Sequence, residues 1–417
     1  MSRAPFSPLR SCRDDTPTMG ADQLSARLHH RAFGPFLVAS IAIAAAYGTS
    51  FLLPDYMQAL GKNSEAAGFL ISSAMVATIV CGCSAGWVAQ RIGIMPTVAA
   101  ASVTMALAML LFAGAVLDER AAYAGCMLMG AGWSVSFILS PLQIIRHLRP
   151  AARIQYLTIL SGSQMAGLGL AAPLGHFLAK FTGSLAMVYA LFAIACVIAA
   201  ICVAVARRAM LGLSAVPMPH IEITVAATVA LVRKCTAAPI AMIAVAGCIF
   251  SGLSTYQTAY AASRHLNSDL FFLIFTASSV ALRFSLAHVI GRLPVHRLAL
   301  TLFSATGASL VMFIVNTGST PLYIVATAIF ATGYGLTYST LNGMAVNLAG
   351  DHGVSVPVTS QIFTLAYFSG LFGFPLVGGQ LIRGFGPDVM LLTLLGATAL
   401  NALLVTALRV KATTGYL

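Results

Sequence analysis

The chain repeats itself at a distance of about two hundred residues. Asn63-Ser64-Glu65 returns as Asn267-Ser268-Asp269 at an offset of 204, and Gly48 to Tyr56 is echoed by Gly252 to Tyr260 at the same offset. Gly130-x-Gly132 returns as Gly333-x-Gly335 at an offset of 203, and Gln90-Arg91-Ile92-Gly93 aligns with Gly291-Arg292-Leu293-Pro294 at 201. Four matches in one order at nearly one spacing mark an internal duplication. Each half also carries six long apolar segments. A helix of about 20 residues rises roughly 30 Å, the thickness of a hydrocarbon core. Parallel repeats of such helices are a recurring plan among membrane transporters.

The apolar pattern predicts helices over 34–57, 66–89, 95–117, 121–145, 155–179 and 184–206, then over 237–262, 270–291, 297–316, 320–347, 356–382 and 387–408. With 59% hydrophobic and 8% charged residues, the chain lies far from the roughly 25% charged residues of a soluble domain. A membrane β-barrel would instead alternate apolar and polar residues in short strands. The expected fold is therefore an all-α integral membrane protein of twelve transmembrane helices in two six-helix repeats. Its expected layout is an N-terminal tail over 1–32, a bundle over 33–206, a linker over 207–236, a second bundle over 237–409 and a C-terminal tail over 410–417. The stretch Ile221 to Val232 in the linker has the pattern of a short surface helix. Residues 1–32 are Arg-rich and lack an apolar core, so they do not read as a cleaved secretory signal, and Met19 is a second candidate start.

A formal net charge of +12 raises the question of a nucleic-acid partner, and the distribution of the charge answers it. With both ends placed in the cytoplasm, seventeen Lys and Arg residues fall on the inner side: Arg3, Arg10, Arg13, Arg27, Arg31, Arg91, Arg146, Arg149, Arg153, Arg207, Arg208, Arg233, Lys234, Arg292, Arg297, Arg409 and Lys411. Only five, Lys62, Arg120, Lys180, Arg264 and Arg383, fall outside. That asymmetry is the positive-inside rule, and it assigns the basic charge to topology. The expected setting is a cell membrane, by preference a bacterial inner membrane, with the lipid bilayer as partner, no nucleic acid, and a monomeric chain. Six of the eight cysteines fall within spans and none has metal-ligand spacing, so no metal, cofactor or disulfide framework is expected.

Gly86-Trp87-Val88-Ala89-Gln90-Arg91-Ile92-Gly93 resembles the loop signature of the major facilitator superfamily, in which a Gly is followed at fixed spacing by Asp, Arg and Gly and then by basic residues. Here Gln90 replaces the Asp, while Ile94 and Met95 stand where basic residues usually follow. Asn267 to Phe272, Arg283 and Gly291-Arg292 are similar to the arabinose-efflux type of permease within that superfamily, and the resemblance covers most of residues 33–410. It implies two six-helix bundles around a cavity lined by helices 1, 4, 7 and 10, and proton-driven transport of a small molecule. It also implies an inner gate at Gln90, Arg91 and Arg292, weakened by the missing carboxylate. Segments 155–179 and 356–382 resemble the Gly/Pro-rich helix of the superfamily's antiporters through Gly162, Gly167, Gly169, Pro173 and Gly175, and through Gly370, Gly373, Pro375, Gly378 and Gly379. Close packing explains the same residues equally well.

Charges inside the spans carry the sharper signal, because each is costly to bury. Arg283 is placed to bind an anionic cargo group or to hold a gate. Asp55, after Pro54 at the edge of the first span, is the best candidate proton carrier, although a place in a wet outer mouth also accounts for it. His176 and His288 titrate in a useful range but lie near helix ends, where a solvated histidine is the common case. Cys126 stands where many proton antiporters carry Arg. Asn63-Ser64 and Asn267-Ser268, each followed by an acid, read as helix N-caps.

Helical spacing completes the site. Tyr47, Phe51 and Asp55 share a face at i, i+4 and i+8, as do Tyr334, Tyr338 and Asn342; Trp133 and Phe137 pair on the fourth span, and Tyr256 and Tyr260 on the seventh beside Gln257. These stripes fall on segments 1, 4, 7 and 10 and suit a cargo that is partly apolar and partly hydrogen-bonding. No phosphate-binding loop of Walker type appears, so the energy source is expected to be a proton gradient rather than ATP. The acids and histidines are scattered rather than gathered at one membrane face, which argues against a membrane enzyme. The expected function is export of a drug, siderophore-like compound or other metabolite, with uptake of a small organic acid or sugar as the alternative.

Overall fold

The computed structural model describes residues 30–62, 64–148, 150–213, 237–290, 294–351 and 356–414, with isolated positions between them. Residues 1–29 of the expected tail, most of the linker beyond residue 213 with nearly all of the expected surface helix from Ile221 to Val232, and Arg292 lie outside these residues. The described chain is helical. In the first half, α1 is His30–Gly48 continued through the tight turn Thr49–Leu52 and Leu53–Ala59, α2 is Ser64–Ile92, α3 Ile94–Gly114, α4 Glu119–His147, α5 Pro150–Thr182 and α6 Leu185–Met210. In the second, α7 is Ala237–Thr255 continued by Gln257–Ser263, α8 is Ser268–Ile290, α9 Val295–Val315, α10 Thr320–Gly335 continued by Thr337–Asp351, α11 Val356–Phe385 and α12 Pro387–Thr414. Eleven of these are long and apolar enough to cross a membrane. The twelfth, α8, has 23 residues, which makes it roughly 34 Å long. The bundle wears its apolar side chains outward: Leu107, Ile194, Ile201, Val311 and Leu403 are all exposed, as a hydrocarbon surrounding requires.

Three helices that the apolar pattern drew as continuous are broken. Pro54 sits in the first turn of the second piece of α1, where its missing N–H is tolerated and the preceding turn is forced out of register. In α7 the break falls at Tyr256, and in α10 at Leu336, just after Gly333 and Gly335. Apolar length is the same on either side of a break, which is why hydropathy passes over them. The turns use local chemistry. Gly93, between α2 and α3, has φ +94°, a region open to glycine and strained for other residues. Asp118, Ser184 and Asn267 each accept a backbone N–H two residues on.

Every major pairing in the first half recurs six helices later. Helix α1 packs on α5 and α6, α2 on α4, and α3 on α4 and α6; α7 packs on α11 and α12, α8 on α10, and α9 on α10 and α12. Individual bonds repeat as well. The Tyr56 hydroxyl donates to the carbonyl of Phe112 at 2.8 Å, and the Tyr260 hydroxyl to that of Phe313 at 2.7 Å. The glycine pairs repeat with a shifted register. Gly132 lies against Ala101 and Met105 of α3, and Gly333 against Leu302 and Thr306 of α9. These two are the equivalents, at an offset of 201, whereas the pairing of Gly130 with Gly333 read from the sequence aligned like letters rather than like contacts.

The halves are held together along two seams, α2 on α11 and α5 on α8. Glycines set the distance of approach. In α5 and α11 the backbone of a partner lies directly over the glycine: Gly167 meets Ile41 and Ala44 of α1, Gly370 meets Ala244 and Cys248 of α7, and Gly68 of α2 meets the Pro375 carbonyl across the seam. Without a hydrophobic drive between helices in lipid, such contacts carry the association. We predict that Gly370→Ala, whose new methyl meets the Ala244 carbonyl, destabilises the protein by about 1–3 kcal/mol, read as a lower thermal midpoint in detergent. Gly396→Ala, in open space, is the control, and equal midpoints for the two variants would contradict this account of the crossing.

Candidate functional site

At mid-depth the two halves meet on aromatic rings. Tyr47 of α1 and Trp133 of α4 stack with centroids 4.5 Å apart and planes 4° from parallel, and Phe137 follows Trp133 at 5.4 Å. Across the junction Tyr47 meets Phe372 edge-on at 5.9 Å, and Phe137 meets Phe368 at 5.5 Å and Tyr338 at 5.8 Å. Phe51 packs on Phe250 at 6.2 Å and on Phe272 at 5.2 Å. Tyr334 stacks on Phe250 at 4.7 Å, and its hydroxyl lies 2.9 Å from that of Tyr367. The Tyr338 hydroxyl reaches Thr364 at 2.7 Å. The surface is thus drawn from α1 and α4 on one side and from α7, α8, α10 and α11 on the other.

Polar atoms are set among these rings. Trp133 Nε1, Ser136 Oγ and Asn342 Oδ1 are buried without a hydrogen-bond partner among the described residues. Such groups are costly unless something pairs with them. The structure therefore brings together Tyr47, Phe51, Trp133, Phe137, Tyr334 and Tyr338 as one surface. It places Tyr256, Gln257 and Tyr260 elsewhere. Tyr256 donates to the Pro375 carbonyl, Gln257 donates to the Tyr323 hydroxyl at 2.6 Å, and Tyr260 holds Phe313. All three are fully buried between helices of the second half. The expected common face is interrupted by the break at Tyr256, and the three side chains are taken up by α11, α10 and α9, with the Tyr256 hydroxyl also lying against Gly68 of α2. Phe250, Tyr367, Phe368 and Phe372 were missed. Phe368 and Phe372 are four residues apart on a helix whose glycines and proline drew all the attention.

The charged residues divide in the same way. Arg283 donates to the Ser279 carbonyl of its own helix at 3.3 Å and to the Gly335 carbonyl at 3.2 Å, where α10 breaks. It meets no carboxylate among the described residues. Arg91 lies over the Trp87 ring of its own helix, 3.9 Å from the centroid, a cation–π contact at an exposed helix end. Gln90 is exposed beside it.

Asp55 has a partner that the sequence did not suggest. His176 of α5 stands between two carboxylates, with Nε2 3.1 Å from Asp55 Oδ2 and Nδ1 2.6 Å from Asp269 Oδ1. Asp269, read from the sequence as an acid stabilising the start of a helix, is also a contact between the halves. His176 is not a solvated histidine, since 22% of its side chain is exposed. Residues 55, 176 and 269 lie on three different helices, so no spacing rule links them.

A model of the Major Facilitator Superfamily matches residues 35–355. Among solved structures, a mutant of the nucleoside transporter NupG superposes with a TM-score of 0.69 at 13% identity, covering 90% of this chain and 99% of that one. The human organic anion transporter MFSD10 gives 0.66 at 16% identity over 90% and 99%, and an auto-inhibited POT family peptide transporter gives 0.67 at 13% over 91% and 96%. No curated protein sequence matches the chain. At these identities the structures share the fold alone.

The two tryptophans of the chain make the aromatic surface observable. In Trp87→Phe the remaining Trp133 is 5% exposed and is expected to emit at shorter wavelength than the exposed Trp87 does in Trp133→Phe. Indistinguishable emission maxima would place Trp133 outside the packed junction.

Proposed function

Because this chain belongs to the major facilitator superfamily and is a multi-pass membrane transporter of small-molecule cargo, we propose that it exports its cargo by alternating access, driven by protons. The observation that carries the proposal is the Tyr47–Trp133 stack at the junction of the halves, with Trp133 Nε1 buried and unpaired among the described residues, as is Asn342 Oδ1 one turn along from Tyr338. Rings supply apolar area for a planar or partly apolar molecule, and the unpaired groups supply one donor and one acceptor to orient it. Tyr47, Phe51, Trp133, Phe137, Tyr334, Tyr338 and Asn342 are the residues we assign to cargo.

Export is supported by the likeness of residues 267–292 to efflux permeases and by the glycine crossings of α5 on α1 and of α11 on α7, on which these helices can rock against their neighbours. The distribution of Lys and Arg supports a topology with both termini in the cytoplasm. The end bearing Lys62, Lys180 and Arg383 then faces outward. Asp55 is the proposed proton carrier. A second reading, uptake of a small organic acid, is favoured by Arg283, whose guanidinium is held only by backbone carbonyls among the described residues.

The test compares metabolites in cells and medium of strains with the gene, without it, and with Trp133→Ala or Arg283→Ala in its place. A compound retained in cells when the gene is lost establishes export and names the cargo; a compound left in the medium instead overturns export in favour of uptake. Trp133→Ala removes the ring on which an aromatic cargo would stack, a contact of about 0.5–1.5 kcal/mol, so affinity for such a cargo is expected to fall roughly two- to tenfold.

A further inference from the structure

Among the described residues, two sets of ionic contacts cross between the halves, at the end where α1 and α5 finish and α2 and α8 begin. One is Glu65 of α2 with Arg383 of α11, an ordinary opposite-charge pair with the arginine largely exposed. The other is His176 with Asp269, extended to Asp55 on the far side of the ring. It is of a different kind, because its geometry specifies a proton count. A neutral imidazole has one N–H and one acceptor nitrogen, yet here each ring nitrogen faces a carboxylate oxygen. Both contacts are hydrogen bonds only if the ring is doubly protonated, or if one carboxylate holds the proton and donates to the ring. Either arrangement contains one proton more than a neutral histidine and two carboxylates.

We propose that Asp55, His176 and Asp269 form a proton-binding site that latches the two halves: with its extra proton the cluster ties α8 of the second half to α5 and α1 of the first, and without it the end opens. When the proton leaves, one bond becomes a contact between two acceptors, and two carboxylates of like charge remain across a partly desolvated seam. With 22–28% of each side chain exposed, the three groups are accessible to water yet poorly screened by it. Their surroundings offer no substitute cation. From α6, Tyr189 comes within electrostatic reach of Asp55; from α10, Tyr323 does so for Asp269. Lys180, one turn along α5, is exposed. Of the other lysines and arginines of this end, Arg120 is exposed at the start of α4, while Lys62 is engaged with Glu119, Arg264 with Asp388 and Arg383 with Glu65. Among the described residues no His, Cys, Asp and Glu group is arranged to hold a metal ion.

The proposal rests on the reading of the protein as proton-driven and gives that reading a place and a sign. A proton entering from the side that the open latch faces closes it. Loss of the proton to the other side reopens it, as exchange of cargo for a proton requires.

The test needs no cargo. With the eight cysteines replaced, spin labels at Leu117→Cys and Thr317→Cys, exposed turn positions in the first and second halves, report the separation of the halves by double electron–electron resonance in nanodiscs. The two carboxylates raise the pH at which the cluster gives up its proton, so the short-distance population is expected to dominate at about pH 6.5 and to fall roughly threefold or more by about pH 10. His176→Gln is expected to abolish that dependence. Asp269→Asn, which removes the like charge but keeps an acceptor for the ring, is expected to stay closed at both pH values; an ion pair serving only as a tie would open instead. A wild-type distance that ignores pH, or a wild-type response in either variant, overturns the proposal. A pH-driven latch in a protein that moves no metabolite outward keeps the site and removes the export reading, while export with a pH-insensitive latch does the reverse.

Discussion

In hydrocarbon a backbone carbonyl has no water to turn to, and each carbonyl released by a bend in a helix must be met from within the protein. Much of the internal wiring of this chain answers that demand. Helix α10 breaks at Leu336, and Arg283 takes the Gly335 carbonyl. Pro375 interrupts the ladder of α11, and there the Tyr256 hydroxyl takes its carbonyl while the N–H of Leu376 donates to Ser72 of the opposite half. Gln361 donates to the Gly82 carbonyl across the same seam. The bends that let this bundle move are therefore tied to the side chains that hold it together, and neither can be changed alone.

The symmetry of the frame throws the asymmetry of its chemistry into relief. The two seams are equivalent by duplication, since α2 corresponds to α8 and α5 to α11. Along α2 and α11 the contact is made largely of glycines and backbone, with Gly68 under Pro375 and Gly373 beside Met75. Along α5 and α8 a glycine, Gly169, again receives a side chain, Thr276, but the outer turn carries His176 and Asp269. The Glu65–Arg383 pair, with its arginine largely exposed, contributes modestly by itself, as pairs open to solvent generally do. The partly buried histidine cluster responds to conditions that the other seam ignores.

How much of this could be read from the sequence depends on the range of the interaction. Helix positions follow from apolar length, and each of the twelve segments lies within a few residues of its expected place. The duplication was visible in Asn63-Ser64 and Asn267-Ser268 because helix starts favour the same residue types, as Asn267 does at the start of α8. The breaks at Tyr256 and Leu336 were not, because a helix and its interruption have the same hydropathy. Spacing put Tyr256 and Tyr260 on one face, but spacing holds only along an unbroken helix, and the break at Tyr256 sends one hydroxyl to α11 and the other to α9. The hydroxyls of both are used up within the bundle. The contact of His176 with Asp269 spans 93 residues, and a single sequence holds no signal at that distance.

The shortened stretch between Tyr260 and Phe313 has a consequence for anyone wishing to rebuild the molecule from one of its halves. The two tyrosine-to-carbonyl ties are separated by 56 residues in the first half and 53 in the second. A chimera that joined helices from both halves at a single offset would carry α9 three residues out of step, an axial slip of about 4.5 Å and most of a turn of rotation. The phenolic hydroxyl would then face a side chain instead of a carbonyl. Interchangeable parts are available here only to a designer who first restores the missing three residues, and that loss has made each bundle private to its own half.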